Sequence, residues 1–174
     1  VYISRAAGLD DFAVGSVDHN RSTAAQKKMV GMFVSTIPVR VCVEEGFSFD
    51  SFVEKNGKTI DETIKKRQKY PFDMTAMHIK EKTGVDAGYL LNINLIGHGD
   101  LGDRGYRMEY HFAGYEENQI TIHINQVSSS GILELEWVYR LELFSPAEIS
   151  RINRTLTTIL TDALQHPLKK LWDL

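Results

Sequence analysis

The segment "SPAEISRINRTLTTILTDALQHP", residues 145–167, constrains this chain more than any other. Ser145 is placed to cap a helix, Pro146 suits the first helical position, and Glu148 completes a capping box. Ile149, Ile152, Leu156, Ile159, Leu160 and Ala163 recur at three-to-four spacing as one apolar stripe, and Pro167 follows the end. Burying each large side chain of such a stripe is worth roughly 1.5–3 kcal/mol, so the helix needs a second layer to lie on. The spacing predicts a helix docked firmly on a sheet.

The sheet is legible upstream. In "QITIHINQ" (119–126), Ile120, Ile122 and Ile124 face one way and Thr121, His123 and Asn125 the other. From Ile132 to Tyr139, Leu133, Leu135, Trp137 and Tyr139 share one face, with Glu134 and Glu136 opposite. Tyr89–Ile96 is mostly apolar and Tyr106–Ala113 mixed. "DFAVGSV" (11–17) reads as a short strand, followed by a polar connector, "DHNRSTAAQKK". Gly31–Val43 carries apolar residues on both parities, which predicts a central strand buried on both faces. Phe49–Arg67 reads as a helix, with Ser48 as N-cap and a stripe through Phe49, Phe52, Val53, Asn56, Ile60 and Ile64. Gly57 inside it predicts close backbone packing or a kink. The basic run "KKRQK" complements the dipole at its end, and Pro71 forces Tyr70 out of helical geometry. About six strands and two long helices predict an α/β sandwich with one mixed sheet.

The 174 residues suit one domain, or one lobe of a larger one. A formal net charge of −3 argues against a nucleic-acid partner. No apolar run approaches the roughly 20 residues of a membrane span, and the first residues lack a signal-peptide pattern. Cys42, the single cysteine, permits no internal disulfide, fits the reducing cytosol and reads as a small buried core residue. The first residue is valine, and Val1–Leu9 reads as the tail of a helix whose beginning is missing. The expectation is a piece of a longer polypeptide.

Chemistry is scarce. The histidines at 19, 78, 98, 111, 123 and 166 form no HExxH, Cys/His or paired-His metal pattern. Glu109, His111 and His123 could approach one another across an antiparallel pair, although a solvated sheet face is the simpler reading. Glu134 and Glu136 would have Cα atoms roughly 7 Å apart along their strand and read as solubilising. "GHGDLGDRG" (97–105) is no dinucleotide fingerprint and reads as a mobile loop. GxSxG elbow and P-loop are both missing. The residues alone assemble no self-sufficient active site.

"VGMFVSTIPVR" (30–40) resembles the (I/V)GxFVNTxPxR signature of nonribosomal peptide synthetase condensation domains. "DFAVGSVDHNR" is similar to that family's strand-plus-arginine segment. "RQKYPFD" resembles its HQxYPFE motif, with Arg67 and Asp73 replacing His and Glu, and the close from residue 133 is similar as well. The motifs come in the family's order and span nearly the whole chain. The resemblance implies a chloramphenicol-acetyltransferase-like sandwich and covers the second of two lobes. The catalytic HHxxxDG belongs to the first lobe, and no HH pair occurs here.

Residues 1–174 are thus expected to be the C-terminal subdomain of a condensation domain whose N-terminal lobe is missing. The implied parent enzyme joins an acyl or peptidyl thioester to an aminoacyl thioester, and this piece alone is expected to be inactive. The resemblance implies no metal and no directly bound cofactor. Phosphopantetheine arms of upstream and downstream carrier proteins would deliver the thioesters through a tunnel between the lobes. It places Ser35, where the family has Asn, and Thr36 at that tunnel. Gly15, Arg21, Gly31, Pro38, Arg40, Tyr70, Pro71 and Phe72 become structural motif residues, with Arg21 and Arg40 as buried braces and Tyr70–Phe72 as a packing corner. The loop 97–105 and its flanks are a candidate crossing to the first lobe. Alternatives are a lobe of an epimerization or heterocyclization domain, or a non-catalytic module that docks carrier proteins; the intact "FVSTIPVR" favours ordinary condensation.

Overall fold

A computed structural model of the chain describes residues 1–67, 72–85, 91–97, 114, 118–127 and 132–174. The elements run α1 (Tyr2–Ala7), β1 (Asp11–Asp18), α2 (Ala24–Lys27), β2 (Ser35–Cys42), α3 (Phe49–Arg67), α4 (Phe72–Thr83), β3 (Leu91–Gly97), β4 (Ile120–Val127), β5 (Ile132–Tyr139) and α5 (Pro146–Gln165), closed by a 3₁₀ turn at Leu171–Asp173.

The strands form one mixed sheet in the order β2-β1-β3-β4-β5. The outer pairs are antiparallel, while β1–β3 and β3–β4 are parallel. Parallel neighbours need a crossover, and α3 and α4 lie in the connection from β2 to β3. With Val17 and Ile96 on the opposite face, the alternation read from the sequence puts most large apolar residues of the central strands on one face. There, Val14, Ile37 and Val39 pack with Phe12, Val41, Ile3 of α1, and Ile60 and Ile64 of α3. Ile120 and Ile122 pack with Leu135, Trp137, Tyr139, and Ile149 and Ile152 of α5. Leu91 of the middle strand joins both clusters. This is the α/β sandwich the sequence predicts, one sheet with helices packed on it.

Both long helices sit where the spacing put them. On α5, Ser145 accepts a hydrogen bond from the Glu148 N–H, and Glu148 reaches back to the Ser145 N–H. Ile149 and Ala163 are buried. Leu160 is not part of the docked stripe: it is exposed, on the outer edge of the helix. On α3 the Ser51 N–H donates to Ser48 Oγ, but Val53 is exposed. Gly57 is also exposed, and a Cβ there would meet nothing within 4 Å, so close packing does not explain it. The chain after α5 returns to the start of α3, where the Phe49 and Asp50 N–H groups donate to the carbonyls of Lys169 and Pro167.

Several expectations need correction. Strand β2 is an edge strand of the described sheet, not a central one. Only Ile37, Val39 and Val41 meet the core; Thr36, Pro38 and Cys42 on the other parity are half-buried and Arg40 is exposed. Pro38, which has no N–H to give a neighbour, is tolerated at such an edge. The strand begins at Ser35; Met32, expected inside it, is exposed, as is Val30 just before its expected start. Cys42 is half-buried rather than a core residue. The connector after β1 contains the four-residue α2, started by a Thr23–Gln26 capping box. Helix α4 was not anticipated: it begins at Phe72, while Tyr70 and Pro71 of the expected packing corner lie outside the described residues. So do the strand expected at Tyr106–Ala113, residues 98–105 of the glycine-rich loop, and Glu109 and His111.

Candidate functional site

The family-like residues at the start of β2 are gathered by the turn that leaves β1. Beyond Asp18 the chain reverses through Asn20, at φ 54°, a left-handed conformation that asparagine tolerates better than most residues. The Asn20 N–H donates to Asp18 Oδ1 at 3.2 Å. Its side-chain Nδ2 donates to the Phe33 carbonyl at 2.6 Å and to Ser35 Oγ at 2.7 Å. Ser35 is itself the strand partner of Asp18. The hydroxyl at the family's Asn position is therefore held by an amide from the neighbouring segment.

Arg21 closes the loop between α2 and β2. Its guanidinium donates to the carbonyls of Gln26 (3.3 Å), Met29 (2.5 Å) and Gly31 (2.8 Å) and lies 4.5 Å from the Phe33 ring centroid. Gly31 has φ 151°, and a Cβ there would stand 3.1 Å from the Phe33 ring. Arg21, Gly31, Phe33 and Ser35 thus form one local unit. Arg40 does not join it. Its side chain is 70% exposed and pairs with Asp11 by two hydrogen bonds, Nε to Oδ1 at 2.8 Å and Nη2 to Oδ2 at 2.5 Å. That guanidinium is not a buried brace; it clamps the far end of β1 to β2. It holds the Asp11 carboxyl down to about 2, aided by the Cys42 thiol. The Cys42 thiol is pushed up in turn, by loss of solvent first and by the bond to Asp11 second.

Thr36 faces the other way, onto the side of the sheet opposite the packed stripes of α3 and α5. It pairs with Val17, and the parallel register of β1 and β3, extended by one residue, continues the row to Asn94. Asn94 pairs with His123, and His123 with Glu136. One row, Thr36–Val17–Asn94–His123–Glu136, therefore crosses all five strands. The adjacent row is Pro38–Gly15–Asn92–Thr121–Val138. Asn94 Nδ2 lies 3.2 Å from His123 Nδ1. His123 thus stands beside Asn94 and Glu136 in the described sheet. Asn92 and Asn94 were overlooked because Tyr89–Ile96 reads as apolar; the signal was their shared parity, the same two-residue period as His123 and Asn125.

The site offers hydroxyls, amides, an imidazole and a carboxylate. Among the described residues no cluster of His, Cys, Asp and Glu could hold a metal. The arrangement can wall, orient and hydrogen-bond a substrate. A cavity of about 470 Å³ between α1 and α5, lined by Tyr2, Arg5, Arg154 and Asp162 among others, lies away from both rows and includes none of their residues.

The family model described as Condensation domain matches residues 1–174. A plipastatin synthase polypeptide of Bacillus subtilis (strain 168) is 31% identical over 171 residues, covering 96% of this chain and 7% of that protein. Surfactin synthase subunit 1 of the same organism is 31% identical over 169 residues, covering 95% of this chain and 5% of that protein. The chain thus spans less than a tenth of these relatives. Among solved structures, the first condensation domain of the CDA synthetase superposes with a TM-score of 0.74 at 15% identity, over 98% of this chain and 38% of that one. The condensation domain from Monacolin K polyketide synthase MokA gives 0.77 at 15% identity, over 97% of this chain and 40% of that one.

Proposed function

The chain belongs to the condensation domain family across residues 1–174, and on that premise we propose that it is the C-terminal lobe of an amide-forming condensation domain. In this reading it supplies one wall of the tunnel in which an acyl or peptidyl thioester on one carrier protein meets the amine of an aminoacyl thioester on another. The phosphopantetheine arms of those carriers enter between this lobe and a first lobe carrying HHxxxDG, in a cytoplasmic synthetase. Ser35 and Thr36 line the tunnel near the reacting groups, and Arg21 and Gly31 shape the loop that presents them.

The observation that carries the reading is the convergence of the motif residues: Asn20 and Arg21 hold Phe33, Gly31 and Ser35 in one unit at the start of β2. Coverage of about 40% of the solved condensation-domain chains fits one lobe of two. A shortened Ser in place of Asn keeps a donor and acceptor hydroxyl, and the Asn20 amide lies against it.

The test is turnover of donor and acceptor carrier-protein thioesters. The full-length polypeptide carrying this sequence forms the amide on the acceptor carrier, and the purified 174 residues alone do not. Amide formation by the 174 residues alone would overturn the assignment to a single, non-catalytic lobe.

A further inference from the structure

We propose that residues 166–174 form a latched strap: Arg5 of α1 holds it closed, the closed strap caps the first turn of α3, and it opens as a unit while the sheet and α5 stay folded. After α5 the chain turns back and runs antiparallel to the start of α3, with Ser48 opposite Lys170. The Leu171 N–H donates to the Phe47 carbonyl at 2.9 Å. The Phe49 N–H donates to the Lys169 carbonyl at 3.1 Å, and the Asp50 N–H to the Pro167 carbonyl at 2.9 Å. The first N–H groups of a helix have no partner within it. On α3, Ser48 Oγ serves the Ser51 N–H, and carbonyls from the far end of the chain serve the two before it.

What holds the strap is mostly polar. Leu171 is its single buried side chain, and it belongs to neither apolar cluster of the sheet. Pro167, Leu168, Lys170 and Asp173 are exposed. The 3₁₀ turn at Leu171–Asp173 leaves its last carbonyls without partners of its own. Arg5 takes them up: Nη1 donates to the Leu174 carbonyl at 2.6 Å, and Nη2 to the carbonyls of Trp172 at 2.5 Å and Leu171 at 3.4 Å. The same guanidinium lies 6.0 Å from the Trp172 ring centroid. At the other end of the strap, Lys169 Nζ donates to Asp162 Oδ2 of α5 at 2.5 Å, and His166 Nδ1 lies 3.0 Å from Asp162 Oδ1.

These holds differ in kind from those of the rest of the chain. The strands pair over whole registers and share two apolar clusters, whereas the strap has one buried leucine and hydrogen bonds near the surface. Segments with few buried apolar contacts open at a lower free energy than the core they lie on. The strap's bonds also fail together. When the carbonyls of Pro167 and Lys169 leave, the Phe49 and Asp50 N–H groups lose their partners at once, so the strap and the first turn of α3 make one opening unit. Hydrogen bonds from a charged donor are roughly twice as strong as neutral ones, which makes Arg5 the group whose loss frees the strap. Because the latch is a side chain of α1, the cap on α3 depends on where α1 stands.

The test is amide hydrogen exchange, read by mass spectrometry, in the full-length polypeptide carrying this sequence. Arg5→Gln removes the charged donor, and is expected to speed exchange about tenfold in peptides spanning 47–52 and 166–174. Exchange in the peptide spanning β4 should stay as in the parent. Limited digestion with trypsin should cut Arg5→Gln after Lys169 and Lys170 faster by a similar factor. Lys169→Met frees the strap from α5 instead; it should speed exchange in the same two peptides, and serves if the first variant fails to fold. Unchanged exchange at 47–52 in both variants would overturn the inference, since the strap would then stay closed without either hold. So would an equal acceleration in β4 and the strap, the result expected if Arg5 were an ordinary packing contact of the whole lobe. Acceleration at 166–174 with none at 47–52 would also overturn it, by showing that the strap does not cap α3.

Discussion

Asn20 Nδ2 stands 2.7 Å from Ser35 Oγ, across 15 residues of sequence, and the same nitrogen is 2.6 Å from the Phe33 carbonyl. One amide thus fixes both the last residues of the loop and the first residue of β2. Because Asn20 is at φ 54°, backbone and side chain contribute separately, and two substitutions separate them. Asn20→Gly keeps the left-handed turn and loses the amide; Asn20→Ala loses both. Chemical denaturation should find both destabilised, with the alanine variant worse by about 1 kcal/mol. Equal stabilities would mean that the turn is not strained.

The Arg40 guanidinium holds Asp11 down to about 2. A carboxyl depressed in the folded state stabilises the fold above its unfolded value, near 4, and that stabilisation is lost as pH falls from about 4 through 2. NMR titration of Asp11 should show the low midpoint. In Arg40→Ala it should return towards the ordinary carboxylate range, and the difference in stability between parent and variant should shrink between pH 5 and 2. A midpoint indifferent to Arg40 would contradict the clamp.

Gly57 lies on the exposed side of α3, with open space where a Cβ would stand. Gly57→Ala should therefore stabilise the chain, by up to about 1 kcal/mol. A raised melting temperature supports this. A lowered one would show that something packs on that side of the helix.

The fold was legible where one period dominated. The isoleucines of "QITIHINQ" and the capped stripe of 145–167 specified β4, β5 and α5, because a two-residue or 3.6-residue repeat leaves one face to bury. Segment 31–43 misled because an edge strand with Pro38 and Arg40 on its open side, preceded by exposed Val30 and Met32, carries nearly the composition of a central strand. A single sequence does not say which neighbour is absent. Of the candidate site, Arg21, Gly31 and Ser35 could be named in advance from family-like motifs. Asn20 as the link between them could not, since it depends on a left-handed turn and a contact 15 residues away. The row joining Thr36 to His123 and Glu136 required the order and register of all five strands.

The central claim is that the start of β2 walls the path of the reacting groups. It is tested most directly by the single-turnover rate of amide formation between donor and acceptor carrier thioesters, in the full-length polypeptide carrying this sequence, with Ser35→Ala. Loss of one substrate-facing hydroxyl should slow transfer about tenfold, with the melting temperature within about 2 °C of the parent. An unchanged rate in the folded variant would contradict the account.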